Sequence, residues 1–423
     1  MITPGAHFAD IARTHARCFW LDGGGAREWS GRRSLIGWLD GDDVSITYDA
    51  RTRLVTRHCG GRGRVVGDDV FEVLDYEMAE GPGDAQWFGY FGYAARPDLP
   101  AEPGDLVPDA VWMRARQVQV FEHELRAGRG SHSSRSTPSP LTDADERAYR
   151  DAFDRVQARL RAGDSYEMNL TYRLTAESGL DPVTAYQALR QLNPAPYAGC
   201  LQHDVPGARS WLLSSSPERF ALVTSDRQIE TKPIKGTTPR GTTPEEDAWF
   251  RSRLETEPKF RAENLMIVDL LRNDIAMVSQ PGTVTVPALM QVESYETVHQ
   301  LVSTVRGTLR DGLSTVAALK ALFPAGSMTG APKRRTMEVI ADVESTPRGA
   351  YAGAFGWISA DGRADLGVVI RSLVTDGDGR WSVGTGGGIT VDSDPGEELA
   401  ESWWKASRLL AVFGKSGRME AVR

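Results

Sequence analysis

Trp211-Leu-Leu-Ser-Ser-Ser-Pro-Glu-Arg-Phe-Ala-Leu-Val223 carries two short apolar runs on either side of a serine-rich turn. Residues 211–213 and 220–223 are too short for helices and read as strands. The same texture recurs outward in both directions. Residues 44–48, 118–121, 166–174, 284–286, 298–305, 354–359, 366–374 and 381–383 read as strands, and 87–93, where aromatics alternate with Gly, as a strand or tight turn. Apolar residues three or four apart mark helices through Tyr149, Phe153, Val156 and Leu160, and over 184–192, 263–274 and 397–413. Many strands, several helices and no regular strand–helix alternation predict an α+β fold with antiparallel sheets.

The 423 residues are 40% hydrophobic and 25% charged, enough for a substantial core. A net charge of -8 argues against a general nucleic-acid binder, because phosphate contacts need clustered Lys and Arg. No apolar run reaches the ~20 residues that cross a bilayer, so no membrane is expected. Three scattered cysteines (Cys18, Cys59, Cys200) make neither a disulfide framework nor a CxxC site. With an N-terminus lacking a signal-peptide pattern, a cytoplasmic location is expected. Residues 126–141, rich in Ser, Gly, Arg and Pro, predict a flexible linker loop between an N-terminal region (1–125) and the rest (142–423).

Residues able to do chemistry concentrate after residue 160. Glu218 follows Pro217 between two strands, where burial would raise its pKa and suit it to general acid work. Lys235 lies between Ile and Gly in a proline-restricted segment, read as a loop whose buried amine is partly neutral and nucleophilic. Glu398 and Glu401 share one helix face, and with Glu263 they form an oxygen-only set suited to Mg²⁺. Gly326-Ser-Met-Thr-Gly-Ala-Pro-Lys333 leads into a helix, where free backbone N–H groups near Thr329 and Gly330 suit a carboxylate or phosphate. Gly384-Thr-Gly-Gly-Gly-Ile389 reads as a glycine-rich turn. His299, Tyr351 and Arg371 are single polar residues in apolar runs, and the guanidinium of Arg371 needs an anionic or polar partner. Each pattern alone is common in solvated loops, helix faces and cores.

Taken in order, Ser-Pro-Glu-Arg-Phe220, Pro-Ile-Lys-Gly-Thr237, Glu263-Asn-Leu-Met-Ile-Val-Asp-Leu-Leu-Arg-Asn-Asp274, Val-His-Gln-Leu-Val-Ser303, Gly326-Ser-Met-Thr-Gly-Ala-Pro-Lys333 and Gly-Gly-Gly-Ile-Thr390 resemble the chorismate-utilising enzymes. That family includes the large subunits of anthranilate synthase and aminodeoxychorismate synthase, and the isochorismate and salicylate synthases. The likeness is close over ~145–415 and loose before it. It implies two stacked antiparallel sheets with helices outside, residues 1–125 contributing to the same sandwich. It implies Mg²⁺ held by Glu263 and Glu401, with Glu398 close by or acting through water. Gly236, Thr237, Gly387 and Gly388 would line the end that takes the ring carboxylate of chorismate. Tyr351 and Arg371 would hold the enolpyruvyl carboxylate, Glu218 would protonate the departing C4 hydroxyl, and His299 would stand near the ring.

Lys235 points within the family to the aminodeoxychorismate synthase large subunits, since anthranilate synthases usually carry Ala in the matching segment. The resemblance then implies that the Lys235 amine attacks C2, hydroxide leaves C4, and ammonia attacks C4 to give 4-amino-4-deoxychorismate. The alternative is amination at C2, as in anthranilate synthase or 2-amino-2-deoxyisochorismate synthase. Glu218, Glu263 and Glu401 are all present, against a non-catalytic paralogue. Glu167 stands where isochorismate and salicylate synthases carry a water-activating Lys and many aminating members carry Gln. Asp22-Gly-Gly-Gly25 replaces a more polar run, so no tryptophan feedback is expected. No glutaminase-like Cys is seen, so ammonia is expected from a separate glutamine amidotransferase subunit in a heterodimer.

Overall fold

The computed structural model describes residues 2–23, 33–123, 143–295, 298–416 and 418–421. The expected linker over 126–141 and Gly24-Gly25 of the glycine run lie outside them. Two antiparallel sheets, one of nine strands and one of twelve, form the α+β frame. Strands before residue 125 enter both: Arg17–Asp22, Arg33–Leu39 and Gln117–Glu122 join the nine-stranded sheet, and Ser45–Asp49, Leu54–Cys59, Arg62–Gly67, Gln86–Phe91 and Ala110–Ala115 the other.

The sheets face each other across Phe19, Phe88, Leu201, Leu212, Phe355 and Val374. Phe19 and Phe88 stack with centroids 3.9 Å apart. Aromatic burial of this size dominates such interfaces. Helices cover the outer faces. Pro4–Thr14 and Pro182–Leu192 lie on the nine-stranded sheet through Phe8, Ile11, Tyr186 and Leu189. Val70–Ala79, Pro258–Val278 and Thr315–Leu322 bury Phe71, Ile267, Leu271 and Leu319 against the twelve-stranded one.

The two strands of the opening stretch part company. Ser210–Ser216 belongs to the nine-stranded sheet and Arg219–Val223 to the twelve-stranded one, so Pro217-Glu218 is a crossing between sheets. The run read as one strand over 366–374 divides the same way, into Ala364–Val368 and Ser372–Thr375, each in a different sheet. The crossings lie side by side: the Val368 N–H donates to the Glu218 carbonyl over 2.9 Å, and the Ser215 N–H to the Arg371 carbonyl over 3.2 Å. Arg371 is therefore not a strand residue; it turns the chain with φ at 49°, a left-handed conformation rare outside Gly and a mark of sites where strain serves a purpose.

Gly384–Ile389 is no turn but the second half of the strand Arg380–Ile389, paired along its length with Met168–Glu177. Lys235 lies not in a loop but on the strand Ile234–Pro239, beside Val298–Thr308.

Candidate active site

Where the sheets exchange strands, a cavity of about 240 Å³ opens between the glycine strand and the helices Pro258–Val278 and Pro395–Leu410. Its walls hold Glu218, Lys235, Gly236, Thr237, Glu263, Tyr351, Arg371, Gly387, Gly388, Glu398 and Glu401. These residues span more than 180 positions of sequence and reach one space because the crossings, the strand at 234–239 and two helices converge there.

Glu218 is buried, and that burial pushes its carboxyl up to about 7, although the Ser327 hydroxyl and the charges of Lys235 and Arg371 favour the anion. It can therefore carry a proton near neutral pH. Arg371 also meets the cavity; burial, with Arg408 nearby, lowers its guanidinium to about 10. Among the described residues no carboxylate forms an ion pair with it, which leaves a cation facing the cavity to take an anion. The Tyr351 ring fits its place because residue 384 is Gly: a Cβ there would run into the ring.

The Lys235 amine is not partly neutral as expected. Burial opposes its charge most strongly, but the Glu167 carboxylate bonded to it, together with Glu263 and Glu218, raises Lys235 to about 12. The pair rests against Gly388, where an added Cβ would lie 2.7 Å from Lys235 Nζ. Glycine is required there by close approach.

The acidic group comes from two helices. On Pro258–Val278, Glu263 precedes Ile267 by one turn on the face that packs inward. On Pro395–Leu410, capped by Asp394, Glu398 and Glu401 share the face turned to the glycine strand. Burial raises Glu263 and Glu398, and the charges of Glu167 and Glu401 respectively add to it. Lys405 lowers Glu401 and bonds it at 2.9 Å, while also donating to the Gly386 carbonyl over 3.1 Å. Lys259 stands 3.9 Å from Glu398. Among the described residues no three acidic or histidine side chains stand close enough to clasp a metal as they lie. The chemistry nevertheless fits a hard divalent cation: three carboxylates line one cavity, two of them raised by burial and mutual repulsion that a cation would relieve.

Three expected residues stand elsewhere. His299 does not line the cavity. It is buried behind the sheet, with Nε2 3.0 Å from Asp247 and Nδ1 2.7 Å from Ser294. Its neighbour Gln300 lines the cavity instead, as the period of a strand requires. Thr329 turns its hydroxyl back to the carbonyls of Ala325 and Gly326, and Gly330 packs on the Glu167 carbonyl; Ser327 and Met328 meet the cavity in their place. Sequence reading missed Ser327, Gln300, Lys259 and Lys405. Only Lys405 left a signal, four residues after Glu401 on the same helix.

The family model described as chorismate binding enzyme matches residues 17–411. A Streptomyces pristinaespiralis protein named aminodeoxychorismate synthase is 39% identical over 93% of this chain and 61% of its own length. An anthranilate synthase component 1 of Haloarcula marismortui is 42% identical over 70% of this chain and 62% of its own length. The chain thus spans about three fifths of these curated relatives. The crystal structure of anthranilate synthase component I from Streptococcus pneumoniae superposes with a TM-score of 0.73 at 26% identity, covering 90% of this chain and 92% of that one.

Proposed function

Because the chain belongs to the chorismate-binding enzymes, we propose that it aminates chorismate at C4, with Lys235 as a covalent nucleophile. The supporting observation is the Lys235 amine inside a cavity that also holds a protonatable Glu218, the Arg371 guanidinium and the three carboxylates. An enzyme that used only ammonia as nucleophile would have no need of an amine at that position.

In this reading Arg371 and Tyr351 bind the enolpyruvyl carboxylate, the guanidinium through paired hydrogen bonds. Gly236, Thr237 and the strand at 386–388 receive the ring carboxylate. Mg²⁺, held by Glu263 and Glu401 with Glu398 beside them, supplies charge neutralisation at that carboxylate when bound. Nζ of Lys235 bonds to C2, the ring double bonds shift, and the C4–O bond breaks as Glu218 gives its proton to the leaving oxygen. Ammonia then bonds to C4, the double bonds shift back, and the C2–Nζ bond breaks. The new C4 ammonium returns a proton to Glu218, so the net change is chorismate plus ammonia to 4-amino-4-deoxychorismate plus water. The ammonia comes from a separate glutamine amidotransferase subunit. His299 acts only by bracing the sheet behind Gln300.

A second reading, amination at C2, is supported by the likeness to anthranilate synthase component I, which extends over 92% of that chain. Incubation with chorismate, Mg²⁺ and an ammonium salt separates the two. The first gives a product of aminodeoxychorismate mass with its enolpyruvyl group intact. Anthranilate fluorescence, or a C2-aminated product, would replace it with the second.

A further inference from the structure

Glu167 has no part in the steps above, yet it is bonded to their nucleophile. It immediately precedes the strand Met168–Glu177 and is held from both sides. The Tyr166 N–H donates to the Ala331 carbonyl over 3.0 Å, and the Asn169 N–H to the Thr329 carbonyl over 2.9 Å. The Ser165 hydroxyl donates to the Glu167 carbonyl over 2.7 Å. A Cβ on Gly330 would collide with that carbonyl, so the Thr329-Gly330 segment approaches closely and seats Glu167 rather than substrate. Across the pair, Gly388 offers no side chain, and the carboxylate and ammonium lie together in the room it leaves.

An ammonium has no lone pair, so Lys235 must lose a proton before it can bond to carbon. Four carboxylates face it: Glu167 ahead of its strand, Glu218 at the sheet crossing, Glu263 on one helix and Glu401 on the other. Among the described residues, Glu167 is the one hydrogen-bonded to it. Glu218 must already hold the proton destined for the leaving oxygen.

Resting on the amination reading, we infer that Glu167 is the proton partner of Lys235: it holds the ammonium in the resting site, takes its proton when the amine forms, and returns it when Lys235 is expelled. The proton passes from Nζ to Oε1, leaving a neutral amine beside a neutral acid. Nζ then bonds to C2. When the C2–Nζ bond breaks, its electron pair returns to Nζ as an amine, which takes the proton back from Glu167, and the ion pair is restored. Expulsion of water from the site by substrate favours the neutral pair, since desolvation penalises both charges. An amide at 167 hydrogen-bonds but cannot carry the proton, so in this chain residue 167 sets the charge of the nucleophile.

The test reads that charge rather than turnover. The full chain, Glu167→Gln and Glu167→Asp are treated with trace acetic anhydride at graded pH. Acetylation of Lys235 is followed by peptide mass spectrometry, and the pH of half-maximal reactivity, which is independent of access, is compared. Glu167→Gln is expected to lower that midpoint by at least one unit, with at least tenfold faster acetylation of Lys235 at neutral pH. Glu167→Asp, which retains a charge at greater distance, should fall between. Coincident midpoints for wild type and Glu167→Gln would overturn the inference whatever product the enzyme makes. A shifted midpoint in an enzyme that yields anthranilate would leave the proton link standing and remove the C4-amination reading.

Discussion

Tyr351 and Gly384 occupy one space: the ring fills the volume that a side chain at 384 would need. Gly384→Ala therefore cannot be accommodated without moving a ring that lines the cavity. Overpacking of this kind costs roughly 1–3 kcal/mol. Denaturant unfolding should show that loss, and the KM for chorismate should rise in the protein that still folds.

Glu218 ties rate to pH. Its carboxyl, pushed by burial up to about 7, must be protonated to serve the leaving oxygen. The rate kcat/KM should therefore fall as pH rises through about 7, and Glu218→Gln should lose that limb together with about 10²–10⁴-fold in kcat. Stability follows the same sign. A carboxyl raised on folding releases its proton more readily when unfolded, so its ionisation destabilises the folded chain as pH climbs from the usual carboxylate value toward 7. Glu218→Gln should be more stable than the parent above that window and not below it.

The guanidinium of Arg371, with no ion pair among the described residues, gives a third expectation. Arg371→Met removes a charged hydrogen-bond donor from a substrate carboxylate, a loss of about 1.5–3 kcal/mol. Steady-state kinetics should show KM for chorismate rising roughly 10- to 150-fold by that amount, with ammonia dependence unchanged.

Cation binding can be read without turnover. A ligand that binds only the folded state stabilises it by mass action, by about 2.7 kcal/mol at one hundred times Kd. Saturating Mg²⁺ should raise the melting temperature of the parent, and much less that of Glu263→Gln or Glu401→Gln.

The frame of this site was legible in the sequence, and its finer orientation was not. Short apolar runs without alternating helices pointed to antiparallel sheets, and the three-residue spacing of Glu398 and Glu401 gave their shared face. The chain over 298–305 is buried on both sides of its sheet, so its composition carries no sign of which face meets the cavity, and it is Gln300, not His299, that does. The run at 366–374 is apolar on both sides of Arg371-Ser372 because both halves are buried, each in a different sheet, which hides the crossing at Arg371. Glycines at 384–388 suggest a turn by propensity, but tertiary packing makes them strand positions pressed by Tyr351, by the backbone at Leu170 and by the Lys235–Glu167 pair. The carboxylate bonded to Lys235 stands 68 positions earlier in the chain, beyond the reach of any local pattern.

Lys235 as a covalent nucleophile is tested most directly by the mass of the enzyme mixed with chorismate and Mg²⁺ in the absence of ammonia. The expected result is a protein heavier by chorismate less one water, with the addition mapping to Lys235, absent from Lys235→Ala, and discharged as aminated product when ammonium is supplied. An enzyme that stays unmodified at Lys235 while turning over on addition of ammonium, or a Lys235→Ala variant that makes the same product at the same rate, would contradict it.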